Sequence, residues 1–191
     1  MKPRTHSPNL DRRSRKLNGP PEGEAWCWFT AEMLGSPAFR SMSRPAFLIL
    51  MRLFLEHMAH AGTENGRLPV TQRQFEQYGI RKQSVPGAIA ELEALGFAKR
   101  TDLGRKSFGE FEGRAARFRL TWLPVLTSGD IQYATNEWRR FSDLKSAKRT
   151  VLEVRRRREV DRADRRVSAA ASKTRDPLNG GCASLGGARY K

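Results

Sequence analysis

LPVTQRQFEQYGIRKQSVPGAIAELEALGF, residues 68–97, decides the fold. Two short helices are written into it, on either side of Gly79. Thr71 stands at a cap position and Gln74 follows three residues later, as in a capping box, so the spacing predicts a helix over 72–78. Phe75 and Tyr78 would face inward, and Ile80 would anchor the turn after Gly79. Ser84 is placed to cap the next helix, over 85–95. Pro86 is tolerated there because the backbone donors of a first turn are unpaired. Val85, Ala88, Ile89, Leu92 and Leu95 recur at helical spacing and form a buried stripe. Gly96 ends that helix as a left-handed cap.

Outward from this stretch, Ser43 caps a longer helix over about 44–60. Phe47, Leu50, Met51, Phe54, Leu55 and Met58 recur on it, and Leu48, Ile49 and Leu53 widen the apolar face, so it should be buried on most sides. Gly62 and Asn65-Gly66 turn the chain into a short strand at Arg67–Val70. Downstream, Phe97–Thr101 and Arg117–Trp122 read as strands joined by the hairpin DLGRKSFGEFEGRAA (102–116). Pro124 ends the second strand.

The order over 43–124 is helix, strand, helix, turn, helix, strand, hairpin, strand. It resembles bacterial winged helix-turn-helix domains, most of all those of transcriptional regulators and plasmid-type replication initiators. VTQRQFEQYGIRKQSVPGAIAELEALGF and RFRLTWLP carry the resemblance, which covers a little under half of the chain. It implies an α+β fold with a single winged helix-turn-helix domain: a three-helix core plus a β-hairpin wing. It implies double-stranded DNA as partner. A homodimer is left open.

A recognition helix meets bases and phosphates with its N-terminal end. Arg81, Lys82, Gln83 and Ser84 stand there: Arg and Lys neutralise phosphate or reach guanine, and Gln bonds adenine. Thr71, Gln72 and Arg73 open the preceding helix, where phosphate contacts are usual in this fold. In the wing, Arg105 and Lys106, with Arg114 and Arg117 at its return, suit a minor groove or a phosphate clamp. Further along the recognition helix the expected exposed positions are Pro86, Gly87, Ala90, Glu91 and Glu93. Gly87 permits close approach and Ala90 suits a thymine methyl, but the set offers little hydrogen-bond readout.

Charge agrees with that partner. The net charge is +16 and the pI about 11.0. Residues 1–20 carry six basic and one acidic side chain, and 145–191 carry fourteen and five, whereas 26–144 carry sixteen and twelve. The excess thus lies in the tails, and a polyanion is the natural partner. Apolar content of 38% and a mean hydropathy of −0.65 are low for a chain that folds throughout. The expected layout is a disordered basic arm (1–24), a domain with extensions (25–144), an Arg-rich, partly helical tail (145–175) and a disordered end (176–191). In the extension 25–42, Trp26, Trp28, Phe29, Met33, Leu34 and Phe39 should pack on the domain, and Ser36-Pro37 looks like a helix start. In the tail, Glu153 with Arg157 and Asp161 with Arg165 have i,i+4 spacing on a solvent-exposed helix over roughly 144–172. The tail reads as a phosphate-binding arm, a solvated helix, or a basic segment on anionic membrane, the first being preferred.

Other chemistries find little support. The pattern holds no phosphate-binding Gly-rich loop, no HExxH and no nucleophile elbow, so an enzyme is not expected. His57 and His60 have no evident third ligand, and no metal, cofactor or small-molecule ligand is implied. Trp26, Trp28, Trp122 and Trp138 read as core before they read as stacking platforms. Cys27 and Cys182 form no CxxC pattern and suggest a reducing compartment. AFLILMRLFLEHM is too short to span a membrane. The expected location is cytoplasmic and nucleoid-associated. The expected function is a DNA-binding regulator or a replication or mobility factor of a plasmid-like element. The alternatives are an RNA-binding or nucleoid-type architectural protein, and a winged helix that docks protein.

Overall fold

Ala46, Ile49, Leu50 and Leu53 have no exposed surface and sit in the hydrophobic core. They belong to helix α3 (Arg44–Ala59), which Ser43 starts by accepting a hydrogen bond from the Ala46 N–H. A computed structural model describes residues 23–105, 112–127 and 129–174. Ahead of α3 lie two short helices, α1 (Ala31–Gly35) and α2 (Pro37–Arg40), with Ser36 capping α2 as expected. After it come β1 (Leu68–Val70), α4 (Gln72–Gln77), α5 (Val85–Leu95), β2 (Ala98–Asp102) and β3 (Ala116–Leu120). The hairpin β4 (Val125–Thr127) with β5 (Asp130–Gln132), a 3-10 turn (Glu137–Arg140) and helix α6 (Leu144–Thr174) complete the described chain.

The result is a mixed α+β structure. Its main sheet is antiparallel in the order β1-β3-β2, with Leu68 opposite Phe118 and Ala98 opposite Leu120. One face of that sheet and the inner sides of α3, α4 and α5 enclose Phe75, Leu92, Leu95, Phe97, Phe118 and Trp122. Phe75 meets Phe118 edge-on at 5.9 Å, and Trp122 stacks on Phe54 at 5.2 Å. The segment after Pro124 folds back through Trp138, which is buried and stacks on Phe97, whereas Tyr133 is exposed.

Two glycines are fixed by geometry. Gly96 sits at φ +78, and a Cβ there would come within 2.7 Å of the Glu137 and Trp138 backbone. Gly104 sits at φ +67, and a Cβ would meet the Arg114 carbonyl at 2.5 Å.

The structure corrects several expectations. Trp26 and Trp28 are exposed, at 60% and 43%, while the alternate residues Cys27 and Phe29 turn inward. The segment is extended, and successive side chains of an extended chain alternate sides. Phe47 and Leu55 remain about two-fifths exposed, because the core reaches only one side of α3. Ser84 stands at the start of α5 but makes no side-chain cap bond. Its backbone is already right-handed helical, and Pro86, two positions on, has no N–H to offer. The tail helix does form, but it is not solvent-exposed throughout: Ala147 and Val151 enter the core, against α2 and α5. The Glu153–Arg157 pair is made, whereas no Asp161–Arg165 pair occurs among the described residues.

Candidate nucleic-acid interface

Helices α4 and α5 set the geometry. The capping box at α4 is complete: Gln74 Oε1 accepts from the Thr71 N–H at 2.7 Å, and Thr71 Oγ1 accepts from the Gln74 N–H. Phe75 and Ile80 fix the turn by burial, and the Ser84 N–H donates to the Arg81 carbonyl at 2.8 Å. That turn leaves Arg81, Lys82 and Gln83 exposed at the entry to α5. Thr71, Gln72 and Arg73 are exposed at the entry to α4, and Gln72 donates to Glu76 along its own helix.

Two furrows flank the start of α5, and Pro86 lines both. The first, of about 560 Å³, lies between α4, α5 and the base of the β2–β3 hairpin. It brings Thr71 and Gln72 together with Arg105 and Arg114. The hairpin stem is closed by paired backbone bonds between Arg105 and Arg114, at 2.9 and 2.8 Å. Arg114 also bonds Asp102 at 2.7 Å. Asp102 accepts from the Gly104 N–H, and this bond, with the positive charge of Arg114, holds its carboxyl below the ordinary carboxylate range. Arg117 is exposed on β3, paired across the sheet with Pro69 and Asp102. Lys106 lies outside the described residues.

The second furrow, of about 630 Å³, lies between α5 and the tail helix α6. Gln83, Ser84 and Gly87 line one wall, and Arg155, Arg158, Arg162 and Arg165 line the other. Gly87 therefore faces α6, and Ala90 is half-buried and lines neither furrow. Glu91, expected to be exposed, is buried: it accepts from the Ser43 N–H at 2.6 Å and from Arg155 at 3.3 Å. Glu93 is taken by Arg100, which donates to it from its backbone and guanidinium.

Sequence reasoning missed the arginine wall and the roles of Glu91 and Asn65. A signal for the wall was present, since Ala147, Val151, Arg158, Arg162 and Arg165 share one helical face at three- and four-residue spacing. Asn65 is fully enclosed: its Oδ1 accepts from Leu120 N–H at 2.7 Å, and its Nδ2 donates to the Leu120, Leu123 and Pro124 carbonyls at 3.0 Å. Read as a turn residue, it is in fact the tie between the loop after α3 and the end of β3.

Among the described residues no group of three metal-ligating side chains comes together. Burial, reinforced by neighbouring His60, pushes the His57 imidazole below the usual histidine range, and His60 is hydrogen-bonded to Glu56. No helix among the described residues is long and apolar enough to cross a membrane. No family model, curated protein or solved structure matches the chain.

Proposed function

We propose that the chain binds duplex DNA as a winged helix-turn-helix protein, with α5 as recognition helix and the β2–β3 hairpin as wing. It would act as a transcriptional regulator or as a replication or mobility factor of a plasmid-like element, in the cytoplasm and on the nucleoid. One observation carries the reading. Arg81, Lys82 and Gln83 stand exposed at the entry to α5, beside a hairpin stem whose Arg105 and Arg114 are also exposed. A helix end of this kind fits the major groove, and a basic hairpin next to it reaches the neighbouring backbone or minor groove. The order of elements and the antiparallel β1-β3-β2 sheet support the reading.

A second reading has its own support. Past the first turn, α5 offers Pro86, Gly87, Ala90, the buried Glu91 and the paired Glu93. Base readout then falls to few side chains, which favours an architectural protein sensitive to DNA shape. A genome-wide binding map separates the two. Discrete peaks support the regulator or initiator, and diffuse coverage supports the architectural role.

On a sequence recovered from such peaks, Gln83→Ala is expected to cost about 1–3 kcal/mol at one base pair and to relax specificity there. Equal affinities of wild type and variant for target and scrambled duplex would remove Gln83 from the interface. Failure of the wild type to bind any duplex would overturn the proposal.

A further inference from the structure

Beyond Val151 α6 leaves the core but keeps the line of the turns that enter it. Ala147 and Val151 are buried against the domain, and Arg158, Arg162 and Arg165 continue their face into the furrow beside Gln83 and Gly87. Two contacts hold that line. Glu91, itself 3% exposed, is gripped by Ser43 N–H from one side and by Arg155 from the other. Gly87 has no side chain, and Arg158 Nε stands 3.8 Å from the point where its Cβ would be.

Arg155 is engaged by Glu91. The remaining arginines of the furrow make no ion pair among the described residues, and they outnumber the two other carboxylates of the lining, Glu159 and Asp161. Arginine left without a carboxylate suits phosphate, to which its fork donates in pairs. Residues 158–165 span about 10 Å of helix. One DNA strand presents about three charges over that length, at roughly 3.4 Å each.

We propose that α6 is a second phosphate clamp, built onto the recognition helix itself. With α5 in the major groove of duplex DNA, the wing takes the backbone on one side. Arg158, Arg162 and Arg165 take the backbone on the other. The clamp rests on the DNA reading above, and it adds a fixed location to what the sequence shows only as tail charge.

The test uses the full chain, a random-sequence DNA duplex and a salt titration of affinity. One variant combines Arg158→Ala, Arg162→Ala and Arg165→Ala. Its control combines Lys145→Ala, Arg149→Ala and Arg156→Ala, which removes the same charge from exposed positions on the opposite face of α6. The clamp requires the furrow variant to flatten the slope of log affinity against log salt by about 2 to 3, at roughly 0.9 per phosphate contact. The control should change it by less than about 1. If the furrow variant melts early, the pair Arg162→Gln and Arg165→Gln replaces it, with a loss of about 2 expected.

Equal losses from furrow and control would overturn the clamp while leaving the DNA reading intact, because charge alone would then explain α6. Binding of the wild type to no duplex would overturn both. Tighter binding to an RNA duplex with the same furrow dependence would overturn the assignment to DNA.

Discussion

Asn65 shows what one side chain does when all its hydrogen-bonding capacity is used inside. Its amide accepts one backbone N–H and donates to three carbonyls, so it closes the seam between the loop after α3 and the end of β3. Asn65→Ala would leave the Leu120 N–H and two buried carbonyls without partners. The expected loss is about 3 kcal/mol or more, since three buried groups lose their partner and each costs about 1–3. A melting temperature equal to wild type would mean that the loop repacks and the seam is not needed. Gly96 acts at the same scale through backbone alone. Gly96→Ala adds left-handed strain of about 1–2 kcal/mol and pushes a Cβ into the Glu137–Trp138 backbone. Denaturant unfolding should show a fall greater than the strain alone, and the Trp138 environment should change with it.

At the scale of elements, patterning is legible and burial partners are not. The extents of α3, α4 and α5 follow from caps, glycines and helical spacing to within a residue or two. The stripe Val85, Ala88, Ile89, Leu92 and Leu95 is buried as its period requires. Leu92→Ala should therefore cost about 2–5 kcal/mol. An unchanged unfolding midpoint would show that α5 presents a different face to the core. What spacing could not show is the other side of α5. Glu91 looks like a surface residue because carboxylates are rarely buried unpaired. Its partners come from Ser43 and Arg155, 48 and 64 residues away in sequence, and no local pattern carries such a distance. The short β4–β5 hairpin escaped for a related reason. Its outer residues are exposed, so no alternation marks it. Of the candidate site residues, the exposure of those at the helix entries and the hairpin stem follows from their charge and position. Gly87 was misread as open because the element that faces it lies beyond residue 144.

Across the whole molecule, the boundary between domain and tail moves. The charge distribution suggests a domain that ends near residue 144 and a basic appendage after it. Ala147 and Val151, however, belong to the core. A chain ending at Asp143 should thus lose stability as well as charge, by about 2–4 kcal/mol for the apolar area newly exposed. A chain ending after Arg158 should keep the stability of the full protein. Thermal melts of the two truncations decide this, and equal melting temperatures would return α6 to the status of an appendage.

The enclosure of Asn65 also sets a chemical lifetime. Asn65 is followed by Gly66, the neighbour that least hinders attack of a backbone nitrogen on the side-chain amide, the step that begins conversion of asparagine to aspartate. In the fold that amide is pinned by four hydrogen bonds, and Gly66 is packed against Val125 at 3.0 Å from its Cβ position. Conversion therefore proceeds from opened molecules. An aspartate formed there cannot donate to the three carbonyls, so a converted chain does not regain the closed seam. Ageing then acts as a ratchet on any destabilised variant, and the yield of aspartate at residue 65 records how often the protein has opened.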